Sequence, residues 1–231
     1  MKLWDKNIST EQRILAFTTG KDPEYDLQLA PYDVAGSMAH AIMLEKTGLI
    51  SREEGEKLLA ELSGLYERSL QGKLVLEEGV EDIHSQVEMM LTGALGDLGK
   101  KIHTGRSRND QVMVDIKLFL RDEIRELTGL IYSLGAVLLR QAETYREVLM
   151  PGYTHMQVAM PSSFGLWFGA YAEALADDLR FMHGIHDVVN QNPLGTAAGF
   201  GSSFPVDREL TTRLLGFEDM HISSVNAQIS R

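Results

Sequence analysis

The chain contains no cysteine. This absence excludes disulfides, cysteine-ligated zinc or iron–sulfur sites and thiol catalysis. Long apolar runs are absent too: nowhere do about 18 consecutive apolar residues occur, and the first residues, MKLWDKNIST, lack the apolar segment of a signal peptide. The sequence therefore predicts a cytoplasmic protein with no membrane partner.

Basic residues are in the minority. The chain has 22 Lys and Arg against 33 Asp and Glu, which gives a formal net charge of −11. Binding to nucleic acid needs positive charge clustered over a broad face, so we expect no nucleic-acid partner. A local exception is the basic cluster formed by Lys100, Lys101, Arg106 and Arg108.

Alternating strand patterns and internal repeats are missing, and apolar residues recur at helical spacing along most of the chain. Pro31 marks the start of a first helix that ends near Gly48. Ser51 and Glu54 form a capping box that opens a second helix, and a third helix follows. We predict an all-α fold that begins with a small helical domain over residues 1–105.

A much longer helical pattern follows. From about Asn109 to Leu149 there is no proline, and a helix of about 40 residues would be about 60 Å long. Its first apolar positions are Val112, Ile116 and Phe119. Such a helix needs other long helices beside it, from this chain or from other subunits. Pro161 predicts the start of a second long helix, so residues 106–231 are interpreted as the first part of a long-helix bundle, incomplete at its C-terminal end.

The segment KIHTGRSRNDQ places Arg106 and Arg108 at the start of the first long helix. The N-terminus of a helix carries about half a positive charge, so arginines are unfavourable there unless a negative group lies nearby. Backbone N–H groups, the side chains of Ser107 and Asn109 and two guanidinium groups together suit a carboxylate or a phosphate. The segment thus predicts an anion site.

Acids of the chain itself offer an alternative partner for these arginines. Glu81 and Asp82 suit the N-terminal cap of a helix and could also pair with the arginines. His84 follows them, and it belongs to the site only if it points to the same place as the arginines. The residue pattern leaves both interpretations open.

A short polar turn, GYTHMQ, separates the two long helices. His155 has the side chain best suited to proton exchange near neutral pH, and the hydroxyl of Thr154 can donate to a carboxylate. A surface loop without a catalytic role is the alternative. His183 and His186 lie one helical turn apart, but no Glu-x-x-His pair accompanies them, so no metal site is expected.

Four strings of the sequence resemble the argininosuccinate lyases, a branch of the fumarase and aspartase superfamily. They occur in the family order over almost the whole chain, and they are EDIH (81–84), HTGRSRNDQ (103–111), PGYTHMQVAMP (151–161) and NPLGTAAG (192–199). The resemblance implies an all-helical homotetramer in which each active site is assembled from three subunits. It also implies cleavage of argininosuccinate to arginine and fumarate, with neither a metal nor an organic cofactor.

The resemblance further implies roles for single residues. His155 takes part in acid–base chemistry, Thr154 donates to a carboxylate of the substrate, and Asp26 contacts the arginine end. The candidate substrate-binding residues, to which we add Arg106 and His84 as neighbours, are Ser107, Arg108, Asn109, Arg106, Asp26 and His84. In the implied reaction a base removes a proton from the succinyl carbon, and an acid protonates the leaving guanidinium group.

The chain also departs from the family pattern. Met160 stands where the family commonly has Gln, and no serine stands in FTTGKDPEYD, where the family places a substrate-binding serine. The superfamily loop, approximately G-S-S-x-M-P-x-K-x-N-P, would lie beyond Arg231, and GSSFP at 201–205 lacks its Met, Lys and Asn. We therefore expect the N-terminal half of a lyase, inactive by itself.

Two alternatives stay open at this point. One is a catalytically silent, crystallin-like structural protein on the same scaffold, and the other is a different fumarate-releasing lyase of the superfamily. Intact Asn109, Thr154 and His155 favour an enzyme, and the string GRSRNDQ argues against the other lyases.

Overall fold

The computed structural model describes residues 14, 17, 20–77 and 80–230 of the chain. Helices dominate this part, which confirms the predicted all-α class. The α-helices with described bounds are α1 (Asp22–Asp26), α2 (Ala30–Lys46), α3 (Arg52–Leu70), α4 (Ile83–Leu95), α5 (Asp97–Lys100), α6 (Arg108–Thr144), α7 (Phe164–Val189) and α8 (Arg208–Leu214). Short 3-10 turns lie at Leu27–Leu29, Lys101–His103 and Asn226–Gln228. Among the described helices, none combines the length and the apolar character needed to cross a membrane.

Two small sheets accompany the helices. Strands β1 (Leu149–Thr154) and β2 (Gln157–Ser163) form an antiparallel hairpin, whereas β3 (Gln191–Asn192) and β4 (Asp219–Met220) pair in parallel. The sequence analysis expected a simple turn around GYTHMQ, and it expected Pro161 to open a helix. Both expectations are wrong: Pro161 faces Pro151 across the hairpin, and α7 begins three residues later. Each strand of a two-stranded sheet has an open edge, where proline is tolerated.

The described chain divides into two compact units. Unit 1 contains the described residues up to Phe119 together with those from Asn190 onward, and unit 2 contains Leu120–Val189. Helix α6 therefore contributes its first turns to unit 1 and the remainder to unit 2. These boundaries differ from those of the domains proposed from sequence, 1–105 and 106–231, and that domain division stays a prediction.

The apolar core of unit 1 lies among α2, α3 and α4. Its fully buried side chains include Val34, Leu44, Leu58, Leu62, Ile83 and Leu91. The predicted capping box at the start of α3 is present: the Glu54 N–H donates to Ser51 Oγ at 3.3 Å, and the Ser51 N–H donates to Glu54 Oε2 at 2.8 Å. Helix α2 carries its proline in the first turn, as predicted.

The first turns of α6 bury polar side chains, which the sequence analysis did not expect. The predicted apolar positions, Val112, Ile116 and Phe119, are only half-buried. The buried side chains of this segment are Asp110, Gln111, Met113, Val114, Asp115, Lys117 and Leu118. The face turned to the interior is therefore a mixed one, and its charged groups need partners within the protein.

A second apolar cluster holds the C-terminal segment of unit 1 against α6. Val114 and Leu118 of α6 pack with Leu194 and Phe217. Tyr32 of α2 packs against this cluster, and its ring meets that of Phe119 edge to face at a centroid distance of 5.8 Å. The segment after residue 190 thus returns to the start of the long helix.

Unit 2 consists of the remainder of α6, the β1–β2 hairpin and α7. Many large apolar side chains of its helices are exposed, among them Leu127, Leu130, Tyr132, Leu139, Leu166 and Phe181. Gly165 lies at the closest approach within this unit, because a Cβ added there would lie 2.5 Å from Arg146 Cα and 2.8 Å from the carbonyl oxygen of Ala142.

Two alanine substitutions in α7 test this packing. Gly165→Ala forces a Cβ against backbone atoms, so we expect a loss of about 1–3 kcal/mol in the free energy of unfolding. Gly169→Ala is the matched control, since nothing lies within 4 Å of its added Cβ, and the better helix propensity of alanine should stabilise by up to about 1 kcal/mol. Urea unfolding of both variants measures the difference, and equal stabilities would contradict the described approach of α7 to Arg146.

Candidate anion-binding site

At the start of helix α6, side chains of the same segment accept hydrogen bonds from its first N–H groups. The Ser107 N–H donates to Asp110 Oδ1 at 2.9 Å, and the Asn109 N–H donates to Ser107 Oγ at 3.3 Å. The Gln111 N–H donates to the Ser107 carbonyl at 3.1 Å. Ser107 thus caps the helix, and Asp110 is the acid of its first turn, where the helix dipole favours negative charge.

The two lysines of the basic cluster are paired with nearby acids. Lys100 Nζ lies 2.8 Å from Asp97 Oδ1, and Lys101 Nζ lies 2.5 Å from Glu54 Oε1. Both pairs are largely exposed, so they contribute little to stability. The arginines are therefore the groups of this cluster that determine the character of the site.

Arg108 reaches from α6 to the start of α4. Its Nη1 donates to Asp82 Oδ2, its Nη2 donates to Ser85 Oγ at 2.6 Å, and Glu81 Oε2 lies 3.8 Å from Nη1. Asp82 also caps α4, because the Ser85 N–H donates to its Oδ1 at 2.8 Å. For Arg108, pairing with acids of the chain is thus the arrangement that this structure contains.

Arg106 lies in the interior. Its Nη1 donates to Ser37 Oγ of α2 at 3.0 Å, and its buried Nε has no hydrogen-bond partner in the described part of the chain. Burial lowers the pKa of Arg106, and the charges of Asp33, Asp110 and Asp115 act in the opposite direction. These contacts make Arg106 part of a buried network of charges, and its role in substrate binding stays a prediction.

His84 lies between two buried carboxyl groups. Its Nδ1 lies 2.8 Å from Asp33 Oδ1 and 3.5 Å from Asp115 Oδ2. Burial by itself lowers the pKa of His84, but the charge and hydrogen bond of Asp33 outweigh it, with support from the charges of Asp115 and Asp82. The pKa of His84 therefore rises to about 9. At neutral pH this imidazole is a cation.

The two carboxyl groups beside His84 differ in their ionisation. Burial raises the pKa of Asp33, but the charge and hydrogen bond of His84 and the charge of Arg106 outweigh it and lower the pKa overall. Burial and the charge of Asp33 raise the pKa of Asp115 well above its usual value. Both oxygens of Asp115 lack a hydrogen-bond partner in the described chain. The pKa values of the two acids are thus shifted in opposite directions, that of Asp33 downward and that of Asp115 upward.

Three cationic groups act on His103. Burial and the charges of Arg106, Arg108 and His84 together lower the pKa of His103 to about 4. The sequence makes His84 part of the site only if it points to the same place as the arginines; these charges act on a common neighbour, and the place of His84 in the site stays a prediction. At neutral pH His103 itself is therefore an uncharged imidazole.

Asp26 borders the same region. It accepts a hydrogen bond at its Oδ2 from the Ile83 N–H, at the start of α4. Burial raises its pKa, the bond from Ile83 and the charge of His84 oppose this, and the charges of Asp82 and Asp33 add to the increase. Unit 1 thus contains all six predicted substrate-binding residues: Asp26, His84, Arg106, Ser107, Arg108 and Asn109.

A cavity of about 480 Å³ opens beside Arg108. Ser85 and Glu88 of α4 line it on one side, and Lys100 contributes a second positive charge. This volume falls within the range of small-molecule sites. The cavity therefore has room for a small molecule beside Arg108.

Asp110 is a residue that the sequence analysis did not identify. The Gly195 and Ala197 N–H groups both donate to its Oδ2 at 2.9 Å, and so it ties the loop NPLGTAAG to the start of α6. Ala197 has a φ of 51°, in the left-handed region that non-glycine residues rarely adopt. The available signal was the spacing of Asp110 three residues after Ser107, which matches a capping box.

The other two missed residues are Asp33 and Asp115. Each is an acid within an apolar helical pattern, which is an unusual position for a side chain that is almost never fully buried without a partner. That conflict was visible in the sequence. Their partner, His84, lies 51 positions from Asp33, and only the tertiary structure identifies it.

Asp33, His84 and Asp115 also have ligand atoms within 4.8 Å of one another, a spacing that a metal ion could use. The pairing of His84 Nδ1 with Asp33, however, favours a protonated ring, and metal binding needs the ring to be deprotonated. Arg106 adds a further positive charge beside the two acids. The negative charges of Asp33 and Asp115 are thus balanced by protons and by the guanidinium group of Arg106.

The predicted catalytic residues lie in unit 2, at the tip of the β1–β2 hairpin. Thr154 pairs with Gln157, and the two residues between them, His155 and Met156, have φ values of 50° and 63°. Two left-handed residues in succession are typical of a type I′ turn. The side chains of Thr154 and His155 are both exposed, so His155 is presented at the surface of this unit.

Known proteins match the chain along its length. A family profile described as Lyase matches residues 8–229. The argininosuccinate lyase of Phocaeicola vulgatus is 59% identical over 230 residues, which cover 100% of this chain and 52% of the relative. That of Parabacteroides distasonis is 58% identical, with the same coverage of 100% and 52%. The chain thus spans about half the length of the curated relatives it matches.

Solved structures share the fold. An EDDS lyase variant with bound fumarate has a TM-score of 0.79 at 28% identity, over 87% of this chain and 39% of that chain. A fumarate lyase delta crystallin from Brucella melitensis, bound to cobalt, has a TM-score of 0.76 over 88% of this chain and 50% of that chain. Its identity of 18% makes it evidence for the fold alone.

The ionisation of His84 predicts how stability depends on pH. Its pKa is about 9 in the folded chain against an ordinary value of 6.5, so its pairing contributes fully below pH 6.5 and is lost as the pH rises through about 9. We expect the free energy of unfolding to fall more steeply over this window in the wild type than in His84→Asn. The exposed His183→Asn variant is the control and should keep the wild-type slope. Urea unfolding at several pH values measures this, and equal slopes for all three proteins would contradict the ion pair.

Proposed function

Because the chain belongs to the lyase family, we propose that it supplies the N-terminal half of an argininosuccinate lyase, which cleaves argininosuccinate to arginine and fumarate in arginine biosynthesis. The observation that carries this proposal is the group of cations and helix N–H donors at the start of α6. Arg108, Ser107 and Asn109 lie there, with His84 nearby, in a chain that is 59% identical to an argininosuccinate lyase.

A dicarboxylate suits this group for electrostatic reasons. The α6 N-terminus, Arg108 and the cationic His84 favour negative charge, and Lys100 lines the adjacent cavity. Asp82 holds Arg108 in the present structure. A substrate carboxylate would therefore compete with Asp82 for the guanidinium group. Arg108 would keep a charged partner, and Asp82 would keep the bond from the Ser85 N–H.

The proposed reaction is an elimination. A base removes a proton from the succinyl carbon next to a carboxylate, and the electron pair is held on that carboxylate. The pair then forms the double bond of fumarate as the C–N bond breaks, and an acid protonates the leaving guanidine of arginine. Fixed hydrogen-bond donors stabilise the extra negative charge of the intermediate. We assign acid–base chemistry to His155 and a hydrogen bond to a substrate carboxylate to Thr154.

We further propose a homotetramer with active sites shared among subunits. The exposed apolar side chains of α6 and α7 in unit 2 support this, because contiguous apolar surface of this kind marks interaction sites. The proposed enzyme uses neither a metal nor an organic cofactor, has no nucleic-acid or membrane partner, and acts in the cytoplasm.

Fumarate release from argininosuccinate by the full-length gene product tests the proposal. Fumarate release is monitored by ultraviolet absorbance. We expect His155→Asn to lower kcat by about 10²–10⁴, the typical contribution of a general acid or base. The control, His183→Asn, should keep the wild-type rate. The 231-residue chain alone should release no fumarate. Faster release from adenylosuccinate or aspartate, or none from any of the three substrates, would refute the assignment.

A further inference from the structure

The imidazole of His84 is held from one side. Its Nδ1 meets Asp33 Oδ1 at 2.8 Å, and only 7% of the side chain is exposed. His84 lies in the first turn of α4, directly after the residues that bind Arg108 and Asp26. A short bond from a buried carboxylate fixes both the tautomer and the orientation of a histidine ring, as it does in catalytic and metal-binding histidines.

Asp33 is itself held in place. It lies fully buried in the first turn of α2, and Gln111 Nε2 of α6 donates to the same Oδ1 at 2.5 Å. The charge of Arg106 also acts on it. Helices α2, α4 and α6 thus each contribute a side chain to one hydrogen-bonded unit, and the carboxylate cannot move without breaking a buried bond.

The other ring nitrogen of His84 has no such partner. Among the described residues, none accepts a hydrogen bond from Nε2, and 7% of the His84 side chain stays exposed. The charges of His84, Arg106 and Arg108 all act on His103, so the imidazole lies within electrostatic range of the candidate anion site.

From this geometry we propose that Asp33 is a positioning residue of the lyase: it holds the Nδ1–H of His84, so that the imidazole stays cationic and its Nε2–H can donate to a carboxylate of the substrate. This inference rests on the proposed function for its substrate. Asp33 touches neither the substrate nor the reacting atoms, and it acts through His84.

Other charged groups also face His84. The negatively charged groups are Asp26, Asp82 and Asp115. The positively charged groups are Arg106 and Arg108, which act on His103 together with His84. Asp115 is the critical comparison. It lies 3.5 Å from the same Nδ1, but it makes no hydrogen bond, and burial favours its neutral acid. Replacing Asp115 with its neutral isostere should therefore change His84 far less than the same change at Asp33.

Asp33→Asn and Asp115→Asn in the full-length gene product separate these roles. KM for argininosuccinate and kcat are measured from about pH 5 to about pH 9, a range that spans the ordinary histidine pKa of 6.5 and the pKa of about 9 that His84 has beside Asp33. We expect Asp33→Asn to raise KM by about tenfold or more above pH 7, with a smaller change in kcat. The difference from the wild-type KM should narrow only as the pH falls below 6.5, because burial lowers the pKa of His84 once Asp33 no longer holds it. Asp115→Asn should follow the wild-type profile within about threefold.

A purely structural role for Asp33 would give a different result. It would lower the melting temperature of Asp33→Asn but leave the shape of its KM profile unchanged, and that outcome overturns the proposal. Equal effects of Asp33→Asn and Asp115→Asn would also overturn it, because the hydrogen bond would then not be the feature that matters.

A spectroscopic measurement keeps the test independent of activity in the variants and of the proposed function. In the 231-residue chain labelled with ¹⁵N at histidine, the His84 signal is assigned by its loss in His84→Asn. We expect both ring nitrogens of wild-type His84 to remain protonated at pH 8. Titration of His84 near its ordinary pKa of 6.5 would overturn the proposal. Absence of lyase activity with a cationic His84 would instead refute the proposed function alone.

Discussion

The buried carboxylate of Asp33 joins three helices, and the candidate site depends on how its charge is balanced. An ionised carboxyl in a protein interior is strongly unfavourable unless it is paired and hydrogen-bonded. Here His84 of α4 and Gln111 of α6 donate to it, and Arg106 adds positive charge. The position of α4 relative to the start of α6 is therefore fixed by electrostatics as well as by the apolar core.

This balance has a consequence for neighbouring groups. Asp33 holds His84 as a cation, and the charges of His84, Arg106 and Arg108 all act on His103. Asp82 neutralises Arg108 in the structure as it stands. In the proposed function, a substrate carboxylate would take the place of Asp82 at Arg108.

Local signals made much of the fold predictable. The capping box of Ser51, the cap at Asp82 and the early proline of α2 depend on neighbours in sequence, and the structure contains all three. The hairpin was not predicted, because its turn uses His155 and Met156 in a left-handed conformation instead of glycine. Helical periodicity also gave a wrong prediction for the first turns of α6, where buried polar side chains take the place of the expected apolar face.

Within the candidate site, the sequence identified the groups that are proposed to meet a ligand and missed the side chains that hold those groups in place. Ser107 and Arg108 stand in a recognisable string. Asp33 and Asp115 are single acids in apolar helices, and their meaning depends on partners that are distant in sequence. Asp110 is intermediate, since its cap is local but its bonds to the loop at Gly195 and Ala197 are not.

The most direct test of this account is a crystal structure of the full-length protein with bound fumarate. The account predicts a fumarate carboxylate within hydrogen-bond distance of Arg108 and of the N–H groups at the start of α6, with the bond between Arg108 and Asp82 broken or shared. Fumarate bound elsewhere, with Arg108 still donating to both Asp82 and Ser85, would contradict the account.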